Sequence, residues 1–349
     1  MEYYAHYDKD KDEKQLLEMH LNSVAKLAIV QIPSIVHFED INNSIIKNAV
    51  YWIGYFHDIG KYSDYFQNYL IKGKDSKFKN HAHISACYIF NFLNNYLDQE
   101  NIDKESFKIF IFLCYLSTRL HHTSLRKERL FEKSIWEEMY ELEKHLKRKG
   151  KEIFRDLKFE NKIDFEYFLN CFNIKPLIEN KRDVEYIPLM FNNGRIRDVR
   201  WYFFVIYIFS VIIDVDKLDS AYVSPHKVNK ISPNDVTAYI DIIHSEKEKS
   251  VLIDRREKAR ITMLEVIEKL TDEEIKNTKF FTLTAPTGIG KTLSSLQCAL
   301  KLQNRIAEIE GYIPRIITAI PFINIIEQNV EEYEKALAGK AKIVVHHRL

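Results

Sequence analysis

The chain has 349 residues, 46% apolar and 29% charged, with 51 Lys and Arg against 50 Asp and Glu, a formal net charge of +1. That length predicts two or three domains, and 22 Phe and 20 Tyr supply a large core. Balanced charge excludes a bulk polycation, so nucleic-acid contact must come from local patches, and nine Gly and eight Pro exclude a collagen-like or linker-like chain.

The N-terminus, MEYYAHYDKDKDEK, is polar and acidic and does not read as a signal peptide. Cys87, Cys114, Cys171 and Cys298 lack CxxC spacing, which predicts reduced thiols in a cytoplasmic protein rather than a disulfide framework or zinc ribbon. The longest apolar run, Trp201 to Ile213, is too short for a bilayer and is followed by Asp214 and Asp216. It predicts a buried helix and no membrane partner.

Leu16, Leu17, His20, Leu21, Val24, Leu27 and Ala28 recur at helical spacing. Ile41, Ile45, Ile46, Ala49, Val50, Ile53 and Phe56 predict a second helix, with Gly60 as its stop. Further helices are expected near 83–97, 106–121, 129–148 and 200–220, with no sustained strand alternation; 150–198 is left unassigned. SPHKVNKISPND reads as a loop, and a charged helix is expected at about 241–270. Phe280 to Thr284, Arg315 to Ile320 and Lys342 to Val345 then alternate with helical patterns, which predicts a parallel α/β sheet.

Ligand-type side chains sit beside core-forming residues throughout the first part. His20 lies inside the first helical pattern, and His57-Asp58 and His121-His122 each end one. His81 and His83 open another, and Asp214 and Asp216 interrupt the most apolar helix. A buried carboxylate needs a partner, because desolvating it alone is costly. A divalent cation held by His and Asp from several helices is one such partner. His6, His37, His145, His226 and His244 are read as ordinary core or surface residues.

In that order, His20, His57-Asp58, His81, His121-His122 and Asp216 resemble the HD superfamily of metal-dependent phosphohydrolases. More closely, MHLNSVAKLA, YFHDIGKYSDYFQ, HAHISA, LHHT and VDKLDSA resemble the nuclease domain of the CRISPR-associated nuclease-helicase of type I systems, over about residues 15–222. The resemblance implies a two-metal centre bridged by Asp58, with His20, His57 and Asp216 on one ion and His81, His121 and His122 on the other. It places Lys61 beside the site as a catalytic residue with Asp58. His83 competes with His81, whose spacing to Ser85-Ala86 is better; Asp214 competes with Asp216, which the following LDS favours. The ions would be Mn, Fe, Co, Ni or Mg, clamping a phosphodiester and activating water. Neutral imidazoles are required, so activity is expected to fall in acid.

Residues 284–292, TAPTGIGKT, meet the pattern of a phosphate-binding loop between a strand-like run and a helix. Ala285, Thr287, Gly288, Gly290, Lys291 and Thr292 are the candidate nucleotide-binding residues. Lys291 would reach the outer phosphates and Thr292 would ligate Mg²⁺ of ATP. The segment resembles motif I of superfamily 2 helicases, and ITAIPFINIIEQN resembles the next motif, with Phe322, Ile323, Ile325 and Ile326 expected in the core.

The expected architecture is therefore a mainly α HD-superfamily domain over 1–225, a linker over 226–250, and an incomplete α/β RecA-like helicase domain over 251–349. The helicase part is expected to be truncated before its acidic Walker B pair, so ATP turnover by this chain alone is doubtful. The expected function is cutting single-stranded DNA handed over by an RNA-guided CRISPR surveillance complex, with a separate chain carrying the rest of the helicase as a further partner. The alternatives are an HD phosphohydrolase of nucleotides and a catalytically silent docking fragment. Lys147, Arg148, Lys149 and Lys151 are a candidate DNA-backbone contact, or an ordinary solvated helix end.

Overall fold

Leu17, His20, Leu21, Val24, Ala25 and Ala28 are buried along one face of helix α1 (Leu17–Val30) in the computed structural model. The model describes residues 2–38, 41–97, 102–123, 133–159, 163–179, 199–224, 228–246 and 248–345. The fold is mainly helical and divides into two compact units, Met1–Pro225 and His226–Leu349.

In the first unit, α1 packs against α2 (Asn43–Phe56) and α10 (Val199–Ser220), and α4 (Ala82–Tyr96) packs against α5 (Lys104–Leu120). Helix starts follow local chemistry. Asn42 accepts from the Ile45 N–H at the start of α2, and Asp103 accepts from the Glu105 and Ser106 N–H groups at the start of α5. Between them run a 3₁₀ turn (Ile59–Tyr62) and α3 (Asp64–Lys72), which Ser63 caps. Four further helices are α6 (Lys133–Arg148), α7 (Gly150–Asp156), α8 (Phe165–Asn170) and α9 (Lys175–Glu179). Tyr62, Tyr88, Phe56, Phe92, Phe110 and Phe168 are among the fully buried side chains. Cys87, Cys114 and Cys171 are buried and all four cysteines are free.

One close approach decides how α1 and α2 meet. A Cβ on Gly54 would stand 2.9 Å from the Ala25 Cα, so only glycine lets the two backbones approach as they do. The rings of His20 and His57 then lie 5.3 Å apart.

The N-terminus departs from the sequence expectation, which had no strand there. Tyr4–Asp8 (β1) and Glu13–Leu16 (β2) form an antiparallel hairpin, pairing Tyr7 with Lys14 and Asp8 with Glu13. Its turn is built by Asp8, whose carboxylate accepts from the Asp10 and Lys11 N–H groups, and by Asp12 at φ 52°. Gly60 also differs. Helix α2 ends at Phe56, and Gly60 sits in the 3₁₀ turn without a left-handed conformation.

The second unit contains α11 (Pro233–Ser245), α12 (Val251–Lys269), α13 (Asp272–Asn277), α14 (Lys291–Glu310) and α15 (Ile323–Leu337). Part of the stretch read as a linker is thus helical, because Ser232 caps α11 and Val236 and Ile240 bury. Their partners are Leu296, Leu300, Ala336 and Leu337.

The expected parallel sheet is absent among the described residues, where the N-terminal hairpin is the one sheet. Residues 280–284, 315–320 and 342–345 carry no regular secondary structure. A parallel strand needs ladder partners and cover on both faces. Here α11, α14 and α15 bury their apolar faces on one another, while Phe280, Ile317 and Val344 stay 90, 86 and 74% exposed. Phe322, Ile323 and Ile325 are exposed too, contrary to their expected place in the core, because α15 buries its opposite end, Ala336 and Leu337. No described helix is long and apolar enough to cross a membrane. His346 and His347 lie outside the described residues, as do His226 and all of 180–198.

A thin core and unpaired backbone lower local stability. Amide hydrogen exchange of the full chain is expected to be fastest in 280–284 and 315–320 and slowest in α1, α2, α4 and α5. Protection of 315–320 equal to that of α4 would contradict the fold described.

Candidate metal centre

Two helix ends use the same local device. His57 follows α2 and His121 follows α5, each as the C-cap residue. The last carbonyls of a helix lack intrahelical donors. The Nδ1–H of His57 donates to the Gly54 carbonyl at 2.8 Å, and that of His121 donates to the Thr118 carbonyl at 2.5 Å. Each bond fixes the ring and turns its Nε2 toward the centre. Asp58 and His122 follow directly in sequence.

His20 and Asp216 arrive differently. On α10 the buried positions run Trp201, Phe204, Val205, Ile208, Val211, Ile212, Val215 and Asp216, so the carboxylate occupies a core-facing position of an apolar helix. His20 occupies the equivalent position in the buried stripe of α1.

Two groups of ligand atoms result, and they share Asp58. In the first, His20 Nε2 lies 3.7 Å from Asp58 Oδ2 and 3.4 Å from Asp216 Oδ1. His57 Nε2 lies 3.4 Å and 3.6 Å from the same two oxygens. Adjacent donors around a tetrahedral ion bonded at about 2.1 Å stand about 3.4 Å apart. In the second, Asp58 Oδ1 lies 2.9 Å from His81 Nε2, 3.2 Å from His121 Nε2 and 3.9 Å from His122 Nε2. All seven residues are buried except His122, whose side chain is 37% exposed.

The donor set fits cations. His20 Nε2, His57 Nε2, Asp58 Oδ2 and Asp216 Oδ1 are buried and make no hydrogen bond among the described residues. Asp58 Oδ2 has the Lys61 ammonium at 2.6 Å as an ion-pair partner only. One unsatisfied buried polar atom costs about 1–3 kcal/mol, and whole-domain stability is about 5–15 kcal/mol. The other three, His20 Nε2, His57 Nε2 and Asp216 Oδ1, face the same point and need compensation, which a cation would supply. Mixed imidazole and carboxylate donors suit Mn, Fe, Co, Ni or Zn.

Electrostatics couple the same groups in the metal-free chain. Burial opposes the charged form of His20, but attraction to Asp216, Asp219 and Asp58 raises it to about 10. Burial likewise opposes His57, and Asp58 and Asp216 raise it to about 9. Burial would raise the Asp58 carboxyl, yet the Lys61 ammonium and the His57 and His81 imidazoles hold it well below the usual range. Asp216 is lowered against its burial by His20 and His57. His81 is pushed down to about 4 by burial, with Lys61 and His121 adding to the effect against the pull of Asp58.

The geometry separates the competing residues. His83 turns away, and its Nδ1 accepts from the Arg119 Nε–H at 3.0 Å. Asp214 is exposed and accepts from the Gln31 amide at 3.3 Å. Lys61 is 2% exposed and also donates to the Ala5 carbonyl at 3.2 Å. Of the candidate basic run, Lys147 pairs with Glu143 at 2.6 Å and Lys149 with Asp64 at 2.5 Å, so part of its charge is neutralised internally. Sequence reasoning missed Asp219, Gln15 and the hairpin. Asp219 takes the Nδ1–H of His20 at 2.6 Å and the Gln15 amide at 2.7 Å. Its i,i+3 spacing from Asp216 on an apolar helix was the available signal.

In the second unit, Gly288 and Gly290 adopt φ 78° and 89°, and Gly290 is the N-cap of α14. Ala285, Thr287, Gly288, Gly290, Lys291 and Thr292 thus form a loop leading into a helix N-terminus. Lys291 Nζ donates to the Ala285 carbonyl at 2.8 Å, and Arg256 Nε donates to the Gly288 carbonyl at 2.8 Å.

Residues 239–348, which include this loop, match the family described as type III restriction enzyme, res subunit, and so carry a helicase-type segment. A relative, the CRISPR-associated nuclease/helicase Cas3 of Haloferax volcanii, is 31% identical over 103 residues, which is 28% of this chain and 11% of that protein. The match spans about a tenth of the relative's length. Together the two similarities fit a Cas3-like nuclease-helicase.

Gly60 tests the centre's construction. A Cβ there would lie 2.7 Å from the His81 carbonyl oxygen and from Ile84 Cγ2. Gly60→Ala must push the start of α4, with His81, away from Asp58. The expected result is a loss of about 1–3 kcal/mol in denaturant unfolding, together with weakened divalent-ion binding. Unchanged ion binding would show that His81 does not depend on this approach.

Proposed function

We propose that the first unit is an HD-type, metal-dependent nuclease that cuts single-stranded DNA in type I CRISPR interference, and that the second unit begins an ATP-dependent helicase. One observation carries this reading: two ligand groups share a buried aspartate, and four ligand atoms of the first converge without hydrogen bonds. Asp58 would bridge two divalent ions, with His20, His57 and Asp216 on one and His81, His121 and His122 on the other. Bound there, such ions supply Lewis acidity toward a phosphodiester and a nucleophile from water at neutral pH.

The chain's own residues prepare that chemistry. His57 and His121 are locked by their backbone bonds, so their Nε2 atoms need no reorientation. Lys61 holds Asp58 in place and keeps positive charge beside the position that a phosphate would take. Burial of six of the seven residues shields the chemistry from bulk water, and exposed His122 is the side from which substrate would approach. The chain's net charge of +1 supplies no strong duplex affinity of its own, which suits delivery of the strand by an RNA-guided surveillance complex.

Metal-stripped protein with Mn²⁺, Fe²⁺, Co²⁺, Ni²⁺ or Mg²⁺ added back singly is expected to cut single-stranded DNA, and Asp58→Ala is expected to lose at least a hundredfold in rate. Equal cutting by a folded Asp58→Ala variant would refute the reading. Faster hydrolysis of nucleotide monophosphates than of DNA would favour the small-substrate phosphohydrolase.

The phosphate-binding loop is tested separately. Lys291→Ala is expected to abolish binding of a fluorescent ATP analogue while divalent-ion uptake by the first unit is unchanged. Retained nucleotide binding would remove Lys291 from the proposed role.

A further inference from the structure

The strongest unassigned feature lies just outside the ligand shell. Asp219 is one helical turn after Asp216 on α10, so both carboxylates point from the same face. Asp216 Oδ1 faces His20 Nε2 at 3.4 Å, and Asp219 Oδ2 receives His20 Nδ1–H at 2.6 Å. The two carboxylates of one helix therefore face opposite nitrogens of one imidazole, and only Asp219 is hydrogen-bonded to it. Asp219 Oδ2 is itself held by the Gln15 amide at 2.7 Å, and Gln15 is 9% exposed on strand β2. The neighbouring Ser220 hydroxyl bonds His6 Nε2 at 2.8 Å from strand β1. Both strands of the hairpin thus tie to the end of α10 beside the centre.

His57 and His121 are fixed by backbone carbonyls of their own helices. His20 sits inside α1, where the carbonyls are engaged in the helix, so its orientation must be set by a side chain. Among the described residues, the side chain on its Nδ1 is that of Asp219. A carboxylate behind a histidine ligand fixes the tautomer, holds the ring plane and strengthens the opposite nitrogen as a donor.

We infer that Asp219, braced by Gln15, is a positioning residue for His20 and sets the divalent-ion affinity of the first ligand group without touching the second. This rests on the metal reading proposed above and adds a residue to it. It also assigns a purpose to the N-terminal hairpin, which carries Gln15 to Asp219 and the Ala5 carbonyl to Lys61.

The test is Mn²⁺ binding to the full, metal-stripped chain, followed by calorimetry and by the electron paramagnetic resonance signal of the bound ions. Wild type is expected to take up two ions. Asp219→Ala is expected to lose roughly 10–100-fold in affinity at one site only. Asp219→Asn keeps an acceptor but no charge, so a smaller loss is expected; Gln15→Ala, the mildest change, should lose less than tenfold. Circular dichroism and thermal unfolding identify variants that fold, and Asp219→Asn and Gln15→Ala keep the test open if Asp219→Ala does not. Two wild-type-like sites in all folded variants would overturn the inference and leave the metal reading standing. Equal weakening of both sites would also overturn it, by showing a merely structural role. A wild-type chain that takes up no Mn²⁺ overturns the metal reading and this inference with it.

Discussion

A fully buried carboxylate, Asp58, is the constraint on which the first unit depends. It has no exposure, yet it meets Lys61 through one oxygen and His81 and His121 through the other. Isolated in an apolar interior, such a charge would be far too costly. Its retention requires positive charge and donors, which Lys61 and the surrounding histidines supply, and five segments of chain converge around it. Helix α1 brings His20, α10 brings Asp216, the end of α2 brings His57, the start of α4 brings His81, and the end of α5 brings His121-His122. The surrounding aromatic core holds those helices at the required spacing.

Close packing and polar chemistry are coupled at two glycines. Gly54 lets α1 and α2 approach, which places His20 beside His57. Gly60 lets the 3₁₀ turn approach α4, which places His81 beside Asp58, and its N–H donates to Ser85 Oγ at 3.0 Å. Neither glycine carries chemistry. Each removes a Cβ where a Cβ would separate two segments that carry candidate ligands.

The two units differ in how far their sequences are satisfied by the described structure. In the first, apolar stripes on α1, α2, α4, α5 and α10 meet one another and form one core. In the second, six buried apolar residues form the core, while the three apolar runs around the phosphate-binding loop keep large side chains in solvent. Strand-like composition states a preference for a half-buried pleated surface. It becomes a strand only where neighbours provide ladder partners and cover.

The long helices of the first unit were legible because burial imposes a 3.6-residue period; α3 and the short helices α7, α8 and α9 were not, because they show too few turns for a period. The ligand types were legible for the opposite reason: His20 and Asp216 break an apolar pattern in which no uncompensated polar group is stable. The loop at 284–292 was legible from the spacing of Ala285, Gly290, Lys291 and Thr292 before a helical pattern, and Gly288 and Gly290 take the left-handed backbone that such a turn requires. The motif context favoured His81 over His83 and Asp216 over Asp214, but only the tertiary structure decided what each side chain meets. His81 and His83, or Asp214 and Asp216, are alike in composition. Helix phase and packing send His81 to Asp58 and Asp216 to His20 and His57, and give His83 to Arg119 and Asp214 to Gln31. The Asp219 to His20 bond and the hairpin that braces it belong to the same class. Residues 199 positions apart meet only when α1 and α10 pack, and no local pattern encodes that distance.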